Sequence, residues 1–228
     1  MILEDDKFGI DRPQDPRGRW IQVQNDGKLR TNFMHAKVLL SEDFYIIQTA
    51  NLGFDAFFRQ REYYVAGRDP AILANLKMLF EKDRNGESIQ AEDIHPNLIV
   101  CPIDCREKIS WYLRAAKKSI YTENQYLQDP EIISILQSQR NLDVKIILPK
   151  DEKNRVDAPG LETATRVLTK PYIHAKAILI DEQYLIISSI NFSNNSLDNN
   201  REIGIIITNP EAIQKYLQQF HKDWQQAK

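Results

Sequence analysis

The chain repeats itself at a fixed interval. Asn51, Arg61, Glu62, Pro70, Phe80 and Asp83 recur 140 residues later as Asn191, Arg201, Glu202, Pro210, Phe220 and Asp223. Met34-His35-Ala36-Lys37 recurs 139 residues later as Ile173-His174-Ala175-Lys176. The one-residue change of interval falls between two apolar runs, where a surface turn tolerates an insertion or deletion. A constant interval across such different residue types marks an internal duplication.

In the second copy Leu98–Cys101 reads as a strand, about Asp104 to Lys118 as a helix with apolar residues at helical spacing, and Ile120–Thr122 as a strand. Asp129-Pro130 opens a further helix with an N-cap and a proline at the first helical position, and Val144–Leu148 is a third strand. Such alternation predicts an α/β fold with buried, largely parallel strands. A polar loop through Asp157-Ala158-Pro159-Gly160 leads to two apolar runs, Tyr172–Ile180 and Tyr184–Ile190. A strand from Glu202 to Thr208 and a helix opened by Asn209-Pro210 complete the copy. The first copy matches only the back of this pattern. Met1-Ile2-Leu3 corresponds to Ile146-Ile147-Leu148, so the expectation is a first half truncated at its N-terminus, with an exposed sheet edge, over 1–92, and a complete second half over 93–228.

Bulk properties exclude some classes. Against 32 acidic residues stand 30 basic ones, for a net charge of -2, so no global positive field recruits nucleic acid or an anionic membrane. The short basic stretches Lys117-Lys118 and Lys150 through Arg155 read as solvated surface. Cys101 and Cys105 suggest neither a disulfide framework nor a metal site, since no His or Cys cluster completes one. No apolar run approaches the roughly 18 residues that span a bilayer. The start lacks a basic region followed by an apolar one, which makes the cytoplasm the default location, although a truncated N-terminus leaves an export signal open. Trp20, Trp111 and Trp224 read as packing residues, and His95 and His221 have no motif partners.

The recurring polar residues define the candidate site. If each His-to-Asn segment is a hairpin, pairing His35 with Asn51 puts the turn at Asp43, and pairing His174 with Asn191 puts it near Glu182. Residues two apart on a strand share a face, so His35, Lys37, Thr49 and Asn51 point together, as do His174, Lys176, Ser189 and Asn191. Glu62 and Glu202, each opening the next strand, are placed to accept a hydrogen bond from a histidine Nδ1. Asp181 is seven residues from His174, about 23 Å along a strand at ~3.3 Å per residue, so Asp181 and Asp43 read as turn residues. Buried lysines among apolar neighbours call for an anionic partner, which points to a phosphate.

These residues resemble the phospholipase D superfamily, whose signature is His-x-Lys, four residues, Asp, six residues, then Gly-Ser-x-Asn. The second copy fits with His174-Ala-Lys176, Asp181 and Ser188-Ser189-Ile190-Asn191, with Ser188 in place of glycine. The first fits with His35-Ala-Lys37, Glu42-Asp43 and Gln48-Thr49-Ala50-Asn51, one residue shorter and with Gln48 in the glycine place. Tyr121 to Tyr126 and Asn191 to Glu202 also look like bacterial phospholipase D-like and cardiolipin synthase-like members. The resemblance implies an α-β-α sandwich of two pseudo-symmetric halves with both hairpins at the interface. It also implies phosphodiester hydrolysis or transphosphatidylation on phospholipids with no metal and no cofactor. One histidine, by resemblance His35, attacks phosphorus to give a phosphohistidine, and His174 is the general acid and then base, while Lys37, Lys176, Asn51 and Asn191 hold the phosphoryl oxygens. Two alternatives stand beside this: a nuclease of the same superfamily, which the near-neutral charge disfavours, and an inactive fragment that only binds phosphate. Peripheral membrane contact is compatible with all three.

Overall fold

A computed structural model describes residues 2–3, 24–25, 31, 33–151 and 160–228. Trp20 and the loop through Asp157-Ala158-Pro159 lie outside the described residues. The first half contains β1 (Ile2–Leu3), β2 (Gln24–Asn25), β3 (Phe33–Met34), β4 (Val38–Leu40), β5 (Tyr45–Gln48), α1 (Phe54–Phe58), β6 (Gln60–Arg61), β7 (Tyr64–Gly67) and α2 (Pro70–Asn85). The second contains β8 (Leu98–Cys101), α3 (Cys105–Ala115), β9 (Ser119–Asn124), α4 (Pro130–Ser138), β10 (Asp143–Pro149) and β11 (Thr165–Leu168). It continues with β12 (Tyr172–Ile173), β13 (Lys176–Ile180), β14 (Tyr184–Ser188), α5 (Asn194–Asp198), β15 (Asn200–Ile207) and α6 (Pro210–Gln226).

The main sheet runs β11-β10-β9-β13-β14-β15, with β8 and β3 both on the far edge of β15. Strands β9, β10 and β11 are mutually parallel and β3 runs parallel to β15, whereas β13, β14, β15 and β8 join through antiparallel pairs. The sheet is therefore mixed rather than largely parallel, because the two apolar runs after residue 172 fold back as a hairpin instead of crossing over through a helix. Helices cover both faces. On one, Leu76 and Leu79 of α2 and Tyr216 and Phe220 of α6 pack against Tyr121, Leu179, Ile187 and Ile205. On the other, Ile109 and Leu113 of α3 and Ile132 and Leu136 of α4 pack against Ile99, Ile120, Ile146 and Ile178. This is an α-β-α sandwich.

Local chemistry fixes the element ends. Asp129 accepts the Ile132 N–H at 3.0 Å and Asn209 the Ala212 N–H at 3.0 Å, each ahead of a proline at the first helical position. The cysteines depart from expectation. Strand β8 ends at Cys101 and α3 begins at Cys105, which sets their Cα atoms 5.0 Å apart, and the two are joined as a disulfide. Strand β11 has no sequence signature, since Thr165-Arg166-Val167-Leu168 carries too little apolar periodicity to stand out. Among the described residues no helix is long and apolar enough to cross a membrane.

Candidate active site

Both His-x-Lys strings sit where the chain changes partner. Before His174, β12 pairs in parallel with β6 of the first half, and after it β13 joins the sheet of the second. Before His35, β3 pairs in parallel with the start of β15, and after it β4 joins the sheet of the first half. The backbone marks the exchange: His35 N–H donates to Arg201 O at 2.9 Å and His174 N–H to Arg61 O at 3.3 Å. Each apolar run that reads as one strand is thus broken at its histidine, because residues on its two sides belong to different sheets.

The exchange extends to the side chains. His35 Nδ1 lies 2.8 and 2.9 Å from the two carboxylate oxygens of Glu202, and His174 Nδ1 lies 2.7 Å from Glu62 Oε1. A carboxylate at Nδ1 accepts its proton, which leaves Nε2 as the free nitrogen of each ring. Burial lowers both imidazole pKa values below the ordinary histidine value, the partner glutamate opposing it and the charges of both lysines adding to it. Lys37 and Lys176 donate to the carbonyls of His35 and His174 at 2.7 and 2.5 Å, and Lys176 also reaches Gln125 Oε1 at 3.1 Å. Burial pushes Lys37 down to about 8. Burial and the nearby Lys37 charge push Lys176 down to about 7. Two imidazoles, two ammonium groups and two carboxylates therefore act on one another across the interface of the halves.

The supporting residues depart from simple hairpin symmetry. The ladders pair Val38 with Ile47 and Ala177 with Ile187, one residue away from the expected opposition of each histidine with its asparagine. After β5 and β14 the chain turns to follow the next strand. Thr49 N–H consequently donates to Tyr63 O at 2.9 Å while its hydroxyl donates to Glu62. Ser189 N–H donates to Ile203 O at 3.1 Å and its hydroxyl accepts from Ile203 N–H. Thr49 and Ser189 brace the segments carrying the glutamates instead of facing a phosphate. Asn191 is buried, its Oδ1 has no hydrogen-bond partner, and it lines a cleft of about 640 Å³ with His35, Phe33, Tyr126 and Asn200. Asn51 is exposed and does not mirror it.

Asp43 and Asp181 are held at the turns. Asp43 pairs with the exposed Arg68 at 2.7 Å. Asp181 and Glu182 adopt φ of 53° and 54° in the three-residue loop between Ile180 and Tyr184, and the Asp181 carboxylate accepts the N–H groups of Lys117, Lys118 and Ser119. Burial raises the Asp181 pKa, but the three backbone donors outweigh it and hold the group below the ordinary aspartate value.

Sequence reasoning missed a second reciprocal set. Arg201 of the second half donates to Asp83 of the first at 2.9 Å, and Arg61 donates to Asp223 at 2.6 and 2.9 Å. All four recur at the 140-residue interval, which was their visible signal; an arginine beside a glutamate otherwise reads as solvated. Ser196 and Asn200, which hold Glu202 at 2.8 and 3.3 Å, carry no such signal, because the residues 140 positions earlier are Ala56 and Gln60 and neither repeats the residue type.

Residues 109–224, just over half of the chain, match the family described as cardiolipin synthase, PLD-like domain. Human mitochondrial cardiolipin hydrolase is 33% identical over 55 residues, which is 24% of this chain and 22% of that protein. The matched segment thus spans about a fifth of the relative's length. The phospholipase D family member Nuc from Salmonella typhimurium aligns with a TM-score of 0.51 at 21% identity, over 57% of this chain and 94% of its own. Phosphatidylserine synthase from Haemophilus influenzae Rd KW20 aligns with a TM-score of 0.64 at 12% identity, over 86% of this chain and 62% of its own. At these identities the two structures speak for the fold.

Proposed function

The chain belongs to the phospholipase D superfamily, within the family described as cardiolipin synthase, PLD-like domain, and from that membership we propose that it hydrolyses or transfers phosphodiesters of phospholipids through a phosphohistidine. The observation that carries the proposal is the reciprocal hydrogen bonding of two histidines, His35 with Glu202 and His174 with Glu62, beside the partly buried Lys37 and the buried Lys176. Such a pair serves both halves of a two-step displacement. Nε2 of neutral His35 attacks phosphorus, the bond from phosphorus to the leaving oxygen breaks, and that oxygen takes the Nε2 proton of His174 imidazolium. Neutral His174 then takes a proton from water or an acceptor alcohol, whose oxygen attacks phosphorus and releases His35.

His35 is assigned the attack because its ring opens to the cleft, with its side chain 20% exposed against 8% for His174. Lys37, Lys176 and Asn191 are assigned to the non-bridging oxygens, whose charge the ammonium groups offset in a dry site. Asn51 is assigned to the same task once substrate is bound. The substrate class rests on the family description and on the human relative, whose name specifies cardiolipin; a near-neutral chain supports a lipid over an extended nucleic acid.

The test is a single-turnover assay on phosphatidylglycerol, cardiolipin and single-stranded DNA, with acid-quenched and alkali-quenched samples analysed for labelled protein. Alkali-stable, acid-labile label from lipid, lost in His35→Ala, is the expected result. Turnover confined to DNA would replace the lipid assignment with the nuclease alternative. Wild-type rates in both His35→Ala and His174→Ala would refute the site.

A further inference from the structure

Glu123 lies on the interior strand β9 with no exposure to solvent, and none of the proposed chemistry uses it. From the first half Arg61 and Tyr63 face it, and from α6 Tyr216 and Asp223. Ile147 of β10 and Ala177 of β13 stand beside it in the sheet. The Tyr63 hydroxyl donates to its Oε2, while Oε1 is buried and meets no donor among the described residues. The Asp223 carboxyl group lies within hydrogen-bond reach of it.

Two carboxylates bond each other only when one carries a proton. Arg61 gives Asp223 two N–H groups at 2.6 and 2.9 Å, and Gln219 gives it a third at 3.1 Å. Asp223 therefore keeps the charge, and Glu123 keeps the proton. With one cation for two acids, a second negative charge in this dry space would stand uncompensated. As the acid, Glu123 donates to Asp223 and accepts from Tyr63, which accounts for the oxygen without a donor. Burial pushes its carboxyl up to about 8 against the Tyr63 hydroxyl and Arg61, and the Asp223 charge adds to the rise.

This chain of bonds ends on both neighbours of Glu62. Tyr63 N–H donates to Thr49 Oγ1 at 2.9 Å, and the same hydroxyl donates to Glu62, whose Oε1 lies 2.7 Å from His174 Nδ1. Arg61 O accepts the His174 N–H at 3.3 Å. The converse set is built differently. Ile203 stands 140 residues after Tyr63 and Leu76 stands 140 before Tyr216, and Arg201 turns its Nη1 to Cys101 O.

We propose that Glu123, carrying its proton, is a positioning residue for His174: bound to Asp223 and Tyr63, it fixes the residues on both sides of Glu62 and so holds that carboxylate against Nδ1. The brace belongs to His174 and not to His35, which sets the two imidazoles apart although the repeat makes them alike. Only its kinetic consequence rests on His174 as the acid of the proposed reaction.

The experiment follows the histidine rings of the nitrogen-labelled full chain by NMR titration, each ring assigned by substitution. Tyr63→Phe cuts the brace without a change of charge. It is expected to lower the His174 midpoint by roughly one pH unit while that of His35 stays in place. Glu123→Leu is expected to do the same, and Glu123→Gln, which keeps an acceptor and a donor, to retain the wild-type midpoint. Equal movement of both histidines in Tyr63→Phe, or none, overturns the proposal, as does Glu123→Gln behaving like Glu123→Leu. A second measurement decides even where Tyr63→Phe or Glu123→Leu fails to fold. A folded pKa above the ordinary glutamate value of 4.5 gives stability that is full below that value and is lost as pH rises to about 8. The Tm of Glu123→Gln is therefore expected to gain on the wild type from pH 4.5 to about 8 and to hold that lead above it. A gap independent of pH overturns the proposal. In the kinetic arm, Tyr63→Phe is expected to move the alkaline limb of the pH–rate profile to lower pH with the acid limb fixed. Absent turnover with the ring titrations as expected would sink the proposed function and leave the brace standing.

Discussion

Glu202, in the second half of the chain, accepts the Nδ1 proton of His35 in the first, with its nearer oxygen 2.8 Å away. His174 and Glu62 form the converse pair at 2.7 Å. Neither half holds its own histidine, so the chemistry of each imidazole depends on the docking of the other half. The four groups resist moving apart because Arg201–Asp83 and Arg61–Asp223 cross the same interface in the same reciprocal sense.

The first prediction separates the roles of the two histidines. Each glutamate raises its histidine against burial, so removing its charge lowers that histidine's pKa further. If neutral His35 attacks, Glu202→Gln moves the acid limb of the pH–rate profile to lower pH. If protonated His174 is the acid, Glu62→Gln moves the alkaline limb to lower pH. Each variant is expected to reduce kcat by roughly 10²-fold. A profile that is flat from about pH 5 to 9 in the wild type would count against any division into acid and base. Shifts on the opposite limbs would reverse the assignment.

A second prediction follows from the lysines. With Lys176 pushed down to about 7 and Lys37 to about 8, both are partly deprotonated near neutrality in the free protein. An anion between them favours the charged forms, so its binding takes up protons, and affinity rises as pH falls through 8 towards 7. Sulfate suits the test, because it does not itself titrate there. Calorimetry in buffers of different ionisation enthalpy reads the proton count directly, and Lys176→Met is expected to reduce it. Zero proton uptake at pH 7.5 would contradict the placement of the ammonium groups.

Part of this site was legible in the sequence, and the reason lies in what repetition reveals. His35, Lys37, Asn51, Glu62 and their counterparts announce themselves because residue type and interval recur together. Repetition does not reveal which half a side chain crosses to, so Glu62 reads as near to His35 as to His174. Thr49 and Ser189 were misread because strand alternation was extended beyond β5 and β14, where the chain leaves the ladder to follow Tyr63 and Ile203. An α/β sheet is legible in the helix caps and buried strands and the α-β-α layering in the family resemblance, but the direction of β13 is not. A long apolar run has the same composition whether it arrives by a crossover helix or by a hairpin.

The third prediction concerns the second reciprocal set. Arg201 and Asp83 are both buried, and Arg201 also donates to Cys101 O at 2.6 Å. Removing one partner leaves a buried charge uncompensated, so Asp83→Ala is expected to cost about 3–5 kcal/mol by chemical denaturation. Replacing both, as Arg201→Met with Asp83→Leu, is expected to recover most of that loss. A double variant as unstable as the sum of the singles would show that the two residues do not act as a pair.

The last prediction concerns Asp181, which the motif places beside the catalytic residues and the fold places at a turn. Asp181→Asn keeps a residue that tolerates φ of 53° but replaces an anion receiving the N–H groups of Lys117, Lys118 and Ser119. Hydrogen bonds to a charged group are worth about 1.5–3 kcal/mol, so a stability loss of about 1–2 kcal/mol is expected with kcat unchanged. The sign with pH follows from the depressed folded pKa. Aspartate stabilises the fold above its unfolded value, and that advantage is lost as pH falls through the lower folded value. The gap in Tm between wild type and Asp181→Asn should therefore be full at pH 7 and close only in strong acid. Asp43→Asn, whose partner Arg68 is exposed, should change neither Tm nor kcat measurably. A loss of kcat in Asp181→Asn without loss of Tm would return Asp181 to the chemistry and overturn its reading as a turn residue.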